Sequence, residues 1–386
     1  MPTVVVAALS ARWLAQSARR AGWDVLALDL FGDIDTQAAA QRWSSIGEPD
    51  TLRIDGDRLL AALREASRHP DCLGWIAATG FEQQPQLLEA GARVLPLLGN
   101  ARSTTERVRD PRRFFATLDE LGIAHPPTQF DPPPDPRGWL VKDFASSGGW
   151  QVRRADHAQA GAAAAPGAYF QREATGRPAS MLFVGDGRRA IPVAISALRA
   201  RTHGARPYVY HGGVGPVTDL PAGTPSALAR TVDALVDGFE LRGLGSLDVL
   251  LDGDTFSVLE LNARPTATVA LYDADVPQGL LRLHVAACTG NLPAEPLSID
   301  NTRIRGEATV FTTRACTVTR DHVARLSELG CRDVPQPNTR LPSGAPLCTV
   351  AAQGASVAAV DQQLAAHEAA VRAMVQNRDE VHSHGD

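Results

Sequence analysis

Residues 244–265 decide the fold, and they run Leu-Gly-Ser-Leu-Asp-Val-Leu-Leu-Asp-Gly-Asp-Thr-Phe-Ser-Val-Leu-Glu-Leu-Asn-Ala-Arg-Pro. Two apolar runs flank Asp252-Gly253-Asp254, which is the sequence signature of a β-hairpin. Side chains alternate between the two faces of a strand, so Glu260, Asn262 and Arg264 are predicted to share one face. A strand that carries an acid, an amide and a base on one face indicates a polar site on a sheet.

The carboxylates of this hairpin are predicted to lie close together. With Leu251 opposite Thr255, Glu260 becomes the diagonal neighbour of Asp248, on the same face and roughly 5–8 Å away. Two carboxylates and an amide offer the hard oxygen ligands of Mg²⁺, which keeps waters and phosphate oxygens as its other ligands. Arg264 is aimed at the same place and suits a bidentate phosphate contact. The alternative is an ordinary hairpin whose polar face is solvated.

A second polar feature lies upstream, where a strand over 139–142 ends at Lys142, the only lysine in the 386 residues. A turn made of Ser146, Ser147, Gly148 and Gly149 follows it. Small residues let backbone N–H groups close around a phosphate, and the lysine supplies positive charge. A plain Gly-Gly hairpin turn, with the lysine retained by chance in an arginine-rich composition, is the alternative.

A third feature is the apolar strand Ala168–Phe170, which runs into the polar residues Gln171, Arg172 and Glu173 and then Gly176. This pattern fits a hinge whose backbone pairs with an adenine while a side chain reaches the ribose. It fits an edge strand equally well.

The first 100 residues alternate short apolar strands with helices, which predicts a doubly wound parallel domain. Expected strands are Val4–Leu9, Val25–Leu30, Leu73–Ala78 and Val94–Leu98. The first turn, Ala8–Arg12, has no GxGxxG pattern, so dinucleotide binding is not supported. Ser10, Arg12 and Asp33 follow the first strands, where such sheets bind ligands.

Composition excludes several classes of function. No Gly-Lys pair exists, so the chain is not a P-loop NTPase, and a net charge of −5 argues against nucleic-acid binding. No apolar run approaches a membrane span, and Met1–Leu9 lacks the basic region of a signal peptide. The five cysteines form no CxxC pair, which fits reduced thiols in the cytoplasm.

Taken in order, these features resemble the ATP-grasp superfamily, and more narrowly the predicted ATP-dependent carboligases related to biotin carboxylase. Glu260–Pro265 matches the Glu-x-Asn-Pro-Arg metal motif, with Ala263 where proline is usual. The segments 109–115, 333–335 and 343–350 are also similar to this subgroup. Where many members carry a lysine near the helix that leads into the ATP-grasp domain, this chain has only Arg107, Arg109, Arg112 and Arg113.

The resemblance implies a mixed α/β and α+β architecture with the ATP-grasp fold. We expect an N-terminal Rossmann-like pre-ATP-grasp domain over 1–108 and a two-lobed ATP-grasp domain over 109–292, with a hinge near 170–174. A small C-terminal α+β domain is expected over 293–386.

The resemblance also implies the role of each site residue. Lys142 and Arg264 are the expected catalytic residues. Mg²⁺, as one or two ions with Mn²⁺ as a substitute, is expected on Asp248, Glu260 and Asn262. ATP is expected on Lys142, Ser146, Ser147, Gly148, Gly149, Gln171, Arg172 and Glu173. Candidate substrate residues are Arg199, Arg201, Tyr210, His211, Gly212, Tyr272 and Asp273, with a solvated loop or simple packing as the alternative.

The implied activity is an ADP-forming carboxylate–amine ligase that works through an acyl phosphate. An amino acid such as glutamate and a small amine are the expected substrates, in the synthesis of a methanofuran-type or pterin-type C1 carrier. No nucleic-acid or membrane partner is expected, and a homodimer is left open. The alternatives are a kinase-like phosphotransferase and a nucleotide-binding sensor without turnover.

Overall fold

A computed structural model describes residues 1–143, 148–157 and 167–376 of this protein. Helices and strands are mixed throughout, in three successive regions. The serines predicted to cover the phosphates, Ser146 and Ser147, lie outside the described residues. Within those residues, no helix has the length and apolar character that a membrane span requires.

The N-terminal region alternates strands and helices, in the order β1 (Thr3–Ala7), α1 (Arg12–Arg20), β2 (Asp24–Asp29), α2 (Ile34–Ala39), β3 (Arg42–Ser45), β4 (Gly47–Glu48), β5 (Arg53–Ile54), α3 (Gly56–Ala66), β6 (Cys72–Ala77) and α4 (Gln86–Ala92). Its main sheet is parallel, with the strand order β3-β2-β1-β6. Val4 and Val6 pack with α1, and Val5 packs with α3, so β1 is buried on both faces. The expected strand over Val94–Leu98 is reduced to one bridge between Leu97 and Trp75.

Two helices connect this region to the next, α5 (Arg102–Arg109) and α6 (Pro111–Glu120). The Asp110 side chain accepts hydrogen bonds from the backbone N–H groups of Arg112 and Arg113, and Pro111 fills the first helical position. Both features are favoured at helix N-termini.

A small antiparallel sheet follows, formed by β7 (Thr128–Gln129), β8 (Trp139–Asp143), β9 (Arg153–Arg154) and β10 (Ala168–Arg172). Its strand order is β7-β10-β8-β9. Because β8 and β10 are neighbours, the strand that ends after Lys142 lies beside the predicted hinge strand.

The largest unit is a seven-stranded antiparallel sheet with the order β15-β14-β11-β12-β13-β16-β19. Its strands and the neighbouring helices are β11 (Arg177–Asp186), β12 (Ala190–His203), β13 (Arg206–Gly215), α7 (Gly223–Phe239), β14 (Arg242–Asp252), β15 (Thr255–Asn262), 3-10 helices at Ala267–Leu271 and Asp273–Asp275, α8 (Leu280–Cys288), β16 (Ile304–Phe311), α9 (Arg320–Glu328), β19 (Pro346–Gly354) and α10 (Val357–Gln376). Two short strands, β17 (Cys316–Thr317) and β18 (Arg340–Leu341), pair with each other in a separate sheet. The predicted hairpin is β14–β15.

The C-terminal region contributes its two longer strands, β16 and β19, to the central sheet. β16 pairs with β13, so β16 and β19 extend the central sheet, and α10 packs against them. Gly306 allows this packing, because a Cβ there would lie 2.6 Å from Val360 and 2.9 Å from Leu364. The predicted C-terminal α+β region therefore shares its sheet with the central part of the chain.

Candidate functional site

A polar row crosses four strands of the central sheet. Ser196 on β12 pairs with Ser180 on β11, Ser180 pairs with Asp248 on β14, and Asp248 pairs with Glu260 on β15. Side chains of directly paired residues lie on the same face of a sheet, so all four are neighbours on one face. Ser180 was not identified from the sequence, because only the pairing of β11 with β14 places it beside Asp248.

The hairpin register differs from the expected one. Asp252 pairs with Thr255, which leaves a two-residue turn of Gly253 and Asp254. A bulge between Asp248 and Val249 then shifts the pairing, so Asp248 lies directly opposite Glu260 rather than diagonal to it. The bulge brings the two carboxylates closer than the regular register would.

Asp248, Glu260 and Asn262 form a connected group. The Asn262 Nδ2 lies 3.3 Å from Asp248 Oδ2 and 3.4 Å from Glu260 Oε1, and the Ser180 hydroxyl donates to Asp248 Oδ1 at 2.6 Å. Burial, together with the charge of Glu260, raises the pKa of Asp248 to about 8. The group thus combines surplus negative charge with hard oxygen atoms, which fits a divalent cation.

Asp248, Glu260 and Asn262 would supply only part of the coordination shell of such a cation. Among the described residues, no cluster of three or more His, Cys, Asp or Glu side chains is arranged for a metal. Two carboxylates and an amide therefore fit Mg²⁺ that takes its remaining ligands from phosphates and water. Glu260 is exposed, so the pair opens to a ligand.

Lys142 lies between this group and the hinge strand. Its Nζ donates to Gln171 Oε1 at 2.6 Å. Burial lowers the pKa of Lys142, while the charges of Glu260 and Asp248 act in the opposite direction. Gln171 is held in turn, because its Nε2 donates to Thr128 Oγ1 at 3.2 Å. A single ammonium is thus placed within electrostatic reach of both carboxylates.

Gly148 and Gly149 dock the end of the glycine turn on β13. The Tyr210 backbone N–H donates to the Gly148 carbonyl at 2.9 Å. Gly149 has φ +76°, and a Cβ there would lie 1.9 Å from the Tyr208 carbonyl oxygen. No residue with a side chain fits at this contact, so the glycine is required where the turn approaches the sheet.

The two other hinge residues, Arg172 and Glu173, hydrogen-bond to other residues of the chain. Arg172 is exposed and donates to the Arg137 carbonyl at 3.0 Å. Glu173 accepts from Arg154 at 3.0 Å and from the Tyr208 hydroxyl. The hydrogen bond from Tyr208 and the neighbouring Arg154 lower the pKa of Glu173.

Arg264 joins the central sheet to the N-terminal region. Its Nε donates to Glu82, a buried residue that also accepts the Gly80 backbone N–H at 2.7 Å. Burial alone would raise the pKa of Glu82, but the charges of Arg264 and Arg109 lower it overall. Glu82 was missed in the sequence because it lies in a loop with no recognisable motif.

A crevice beside this ion pair is lined by Glu82, Asn100, Arg109, Asn262 and Arg264. Among the four arginines that stand near the expected lysine position, Arg109 is the one on this crevice. Arg107 instead donates to the Phe239 carbonyl, and Arg112 stacks on Phe130.

The candidate substrate residues of β12 and β13 divide between the two sheet faces. Arg199 and Arg201 pair with Asp361 and Glu368 of α10, and the His211 Nε2 lies 3.0 Å from Glu368. Arg199, Arg201 and His211 therefore face α10, and their role in substrate binding stays a prediction. Tyr210 lies on the metal face, where burial and the charge of Asp248 raise its pKa. Gly212 is close-packed on β16, because a Cβ there would lie 2.0 Å from the Glu307 carbonyl oxygen.

Tyr272 and Asp273, two further candidate substrate residues, both have partners within the protein. Tyr272 is fully buried, and its hydroxyl lies 2.5 Å from Ser196 Oγ. Asp273 accepts from Ser17 at 2.5 Å, from Arg20 at 3.0 Å and from the Leu280 backbone N–H at 2.7 Å. These contacts hold α1 against the start of α8, and a role toward an amine stays a prediction.

The residues after the first parallel strands contact the C-terminal region. Arg12 donates to Asp333 at 2.8 and 3.2 Å, and Ser10 donates to the same carboxylate at 3.3 Å. Asp33 is buried nearby, and burial with the charges of Asp333 and Asp29 raises its pKa well above the usual value. Ser10 and Arg12 therefore connect the N-terminal region to the C-terminal region through hydrogen bonds to Asp333.

The chain is similar to known proteins in part of its sequence and in its fold. Residues 108–268 match the family model described as an ATP-grasp domain. No curated protein sequence matches the chain.

Three solved structures are similar over nearly the whole chain. An L-amino acid ligase from Bacillus licheniformis has 15% identity and a TM-score of 0.71, covering 96% of this chain and 97% of that one. An N5-carboxyaminoimidazole synthase from Aspergillus clavatus, with ADP and 5-aminoimidazole ribonucleotide, has 12% identity and a TM-score of 0.69, covering 96% and 98%. The biotin carboxylase domain of Hydrogenobacter thermophilus 2-oxoglutarate carboxylase, with MgADP and bicarbonate, has 11% identity and a TM-score of 0.68, covering 95% and 89%. These likenesses confirm the expected fold.

Proposed function

We propose that this protein is an ADP-forming carboxylate–amine ligase, because residues 108–268 match the ATP-grasp domain model and the chain has the corresponding fold. The observation that carries the proposal is the opposed pair Asp248 and Glu260, with Asn262 between them and Lys142 beside them. An acidic pair next to a lysine suits Mg-ATP, whose phosphates and metal carry opposite charges.

The nucleotide is proposed to lie between the two sheets. Lys142 contacts the phosphates, Gly148 and Gly149 cover them together with Ser146 and Ser147, and the hinge residues Gln171, Arg172 and Glu173 hold adenine and ribose. Mg²⁺, as one or two ions replaceable by Mn²⁺, would be held by Asp248, Glu260 and Asn262. It would neutralise phosphate charge there.

The proposed reaction has two steps. A substrate carboxylate oxygen attacks the γ-phosphorus of ATP, ADP leaves, and an acyl phosphate forms. An amine nitrogen then attacks the acyl carbon, phosphate leaves, and the nitrogen loses a proton as the amide forms. Arg264 and Lys142 are proposed to stabilise the charge that develops on the transferring group, so positioning and electrostatics supply the catalysis.

The substrates are proposed to be an amino acid such as glutamate and a small amine, used in the synthesis of a C1-carrying cofactor of the methanofuran or pterin type. We further propose a cytoplasmic enzyme that binds small molecules and neither nucleic acid nor membrane, with a homodimer as one assembly to test.

The proposal is tested by incubating the protein with Mg-ATP and panels of amino acids and amines, while ADP, phosphate and product mass are measured. A ligase gives ADP and phosphate in equal amounts with an amide. ADP with a stable phosphorylated product identifies a phosphotransferase, and nucleotide binding without turnover identifies a sensor.

Glu260→Gln tests the site itself, since it removes one carboxylate at nearly constant volume. Magnesium-dependent activity should fall by at least 100-fold, while the matched change Glu328→Gln, on the distant helix α9, should leave it unchanged. Full magnesium-dependent activity in Glu260→Gln contradicts the proposed metal site.

A further inference from the structure

Carboxylates collect around Arg12, where the N-terminal and C-terminal regions meet. The Arg12 Nε and Nη2 donate to the Asp333 carboxylate at 2.8 and 3.2 Å. The same guanidinium lies 3.7 Å from Asp35 and 3.9 Å from Glu307. Because the Arg12 side chain is only 5% exposed, these three carboxylates converge on one buried point. A second guanidinium, that of Arg332, pairs with Glu307.

Asp33 adds a fourth carboxyl group at this place. It is the cap residue of α2, yet its side chain does not cap that helix. Asp33 is 5% exposed, and within the described part of the chain its carboxyl oxygens accept no hydrogen bond. Burial and the charges of Asp333, Asp29 and Asp35 raise its pKa well above the usual value, so it lies within electrostatic reach of the other carboxylates. Buried polar groups nearly always have a partner, and Asp33 therefore points to one outside the chain.

The acidic group formed by Asp33, Asp35, Asp333 and Glu307 has four carboxyl groups against two guanidiniums. The oxygens of Asp35 already accept the backbone N–H groups of Asp333 at 2.8 Å and Val334 at 3.2 Å, which holds them in place. Excess negative charge in a buried site costs free energy, and a bound cation lowers that cost. No cluster of three or more His, Cys, Asp or Glu side chains in the described ranges could hold a metal ion. The acidic group therefore fits an organic cation better than a bare metal ion.

The acidic group lies on the same face of the central sheet as Asp248 and Glu260. Glu307 pairs with Gly213, and a Cβ on Gly213 would lie 3.7 Å from the Tyr210 hydroxyl. Burial and the charge of Asp248 raise the pKa of Tyr210, so that hydroxyl also faces the proposed metal site. Directly paired residues share a face, so a ligand held at Glu307 can extend past Tyr210 toward Asp248.

The distance along this face determines which part of a ligand the acidic group can hold. Three strands separate β14 from β16, so at about 4.8 Å per strand Asp248 and Glu307 are roughly 19 Å apart across the sheet. An amine nitrogen has to be neutral to attack an acyl phosphate, whereas a nitrogen bound among carboxylates stays an ammonium. The nitrogen bound here is therefore not the reacting one. The Asp35 and Asp333 side chains are each 23% exposed, so the site is open to a ligand.

We propose that Asp33, Asp35, Asp333 and Glu307 bind the distal ammonium group of the amine substrate, which is then a diamine or a polyamine. An ammonium has three N–H donors and makes charge-assisted hydrogen bonds to carboxylates, and Asp33 supplies an acceptor that the chain itself leaves unused. Arg12 acts as a positioning residue that holds Asp333. The inference rests on the proposed ligase function, because it names the class of amine that the ligase would use.

Calorimetric titration of the full-length protein with hexanediamine tests the proposal. Hexanediol, which has hydroxyl groups in place of both ammonium groups, is the matched neutral ligand. Both titrations are run at constant ionic strength with saturating Mg²⁺ and a non-hydrolysable ATP analogue, so that the proposed metal and nucleotide sites are filled. Asp33→Asn removes a carboxylate at nearly constant volume and breaks no hydrogen bond of the described side chains. Asp57→Asn, at an exposed residue of α3, is the control variant.

Hexanediamine should bind at one saturable site and hexanediol should not. Asp33→Asn should weaken the binding of hexanediamine at least tenfold, while Asp57→Asn binds it like the parent protein. If Asp33→Asn fails to fold, Glu307→Gln on β16 takes its place and should show the same loss. Unchanged affinity in the folded variant, equal binding of the two ligands, or no saturable binding of hexanediamine overturns the proposal.

The ligase assay separates this inference from the proposed function. Amide formation with monoamines alone, in a protein without a diamine site, overturns the inference and leaves the ligase function standing. Saturable binding of hexanediamine that Asp33→Asn weakens, in a protein that forms no amide from any substrate pair, supports the cation site and refutes the ligase function.

Discussion

Arg264, two residues beyond β15, donates its Nε–H to Glu82, which follows β6 in the N-terminal sheet. One buried ion pair therefore joins the proposed phosphoryl-stabilising residue to a different region of the chain. Because the Arg264 guanidinium donates to this carboxylate, its orientation is fixed before a ligand binds.

Glu82→Gln should lower turnover by about 10- to 100-fold while the KM for ATP changes less than threefold. The variant keeps an acceptor for Arg264 but removes the charge that orients it, and orientation matters most in the transition state. Steady-state kinetics of ADP release measure kcat and the KM for ATP. Glu106→Gln, a change at an exposed glutamate, is the control. If the KM for ATP rises by about 10- to 100-fold and turnover is unchanged, Glu82 acts in ATP binding instead.

Lys142→Arg should lose more than 90% of the activity although the charge is kept. The ammonium donates to Gln171 Oε1 at 2.6 Å, whereas a planar guanidinium is larger and donates in other directions. Binding of a fluorescent ATP analogue and thermal unfolding separate a lost contact from a misfolded protein. Arg137→Lys, at a side chain that is 81% exposed, is the matched control and should behave as the parent protein. Normal activity in Lys142→Arg means that the single lysine is incidental.

The sequence predicted which residues share the hairpin face but not how closely they approach. Alternation along the strand is local, so Glu260 and Asn262 could be grouped from the sequence alone. The bulge at Asp248 and Val249 adds one residue to one strand only, and no composition signal marks it. The direct pairing of Asp248 with Glu260 therefore needed the structure.

Long-range partners were equally out of reach of the sequence. Arg199 and His211 looked like ligand-binding residues because they are polar and follow one another in a glycine-rich stretch. Their partners Asp361 and Glu368 lie more than 150 residues away, on a helix whose packing face the sequence does not specify. Strand order is equally non-local, so the sequence could not show that β16 and β19 extend the central sheet.

Asp273→Ala should destabilise the protein by about 3 kcal/mol and leave nucleotide affinity unchanged. The change removes the acceptor of Ser17, of Arg20 and of the Leu280 N–H, so buried donors lose their partner. Chemical denaturation gives the free energy of unfolding, and Asp50→Asn, at an exposed residue, is the control. A stable Asp273→Ala protein with weakened substrate binding would instead support the predicted role of Asp273 in substrate binding.

His284 should make stability fall below neutral pH. Its Nδ1 accepts the Leu244 N–H at 2.8 Å, so Nε2 carries the proton and donates to the Leu98 carbonyl at 2.9 Å. Burial lowers the pKa of His284 to about 4, well below the value of about 6.5 in an unfolded chain. The unfolded state therefore binds a proton between these two values and the folded state does not.

This difference in proton binding makes the free energy of unfolding decrease as the pH falls. The contribution of His284 is fully present above about pH 6.5 and is lost as the pH falls toward 4, by up to about 3 kcal/mol. His284→Gln keeps a donor and an acceptor without titrating, so the free energy of unfolding should depend less steeply on pH between 6.5 and 4.5. His69→Gln, at an exposed histidine, should keep the slope of the parent protein. Identical slopes in His284→Gln and the parent protein would mean that other buried groups cause the acid sensitivity.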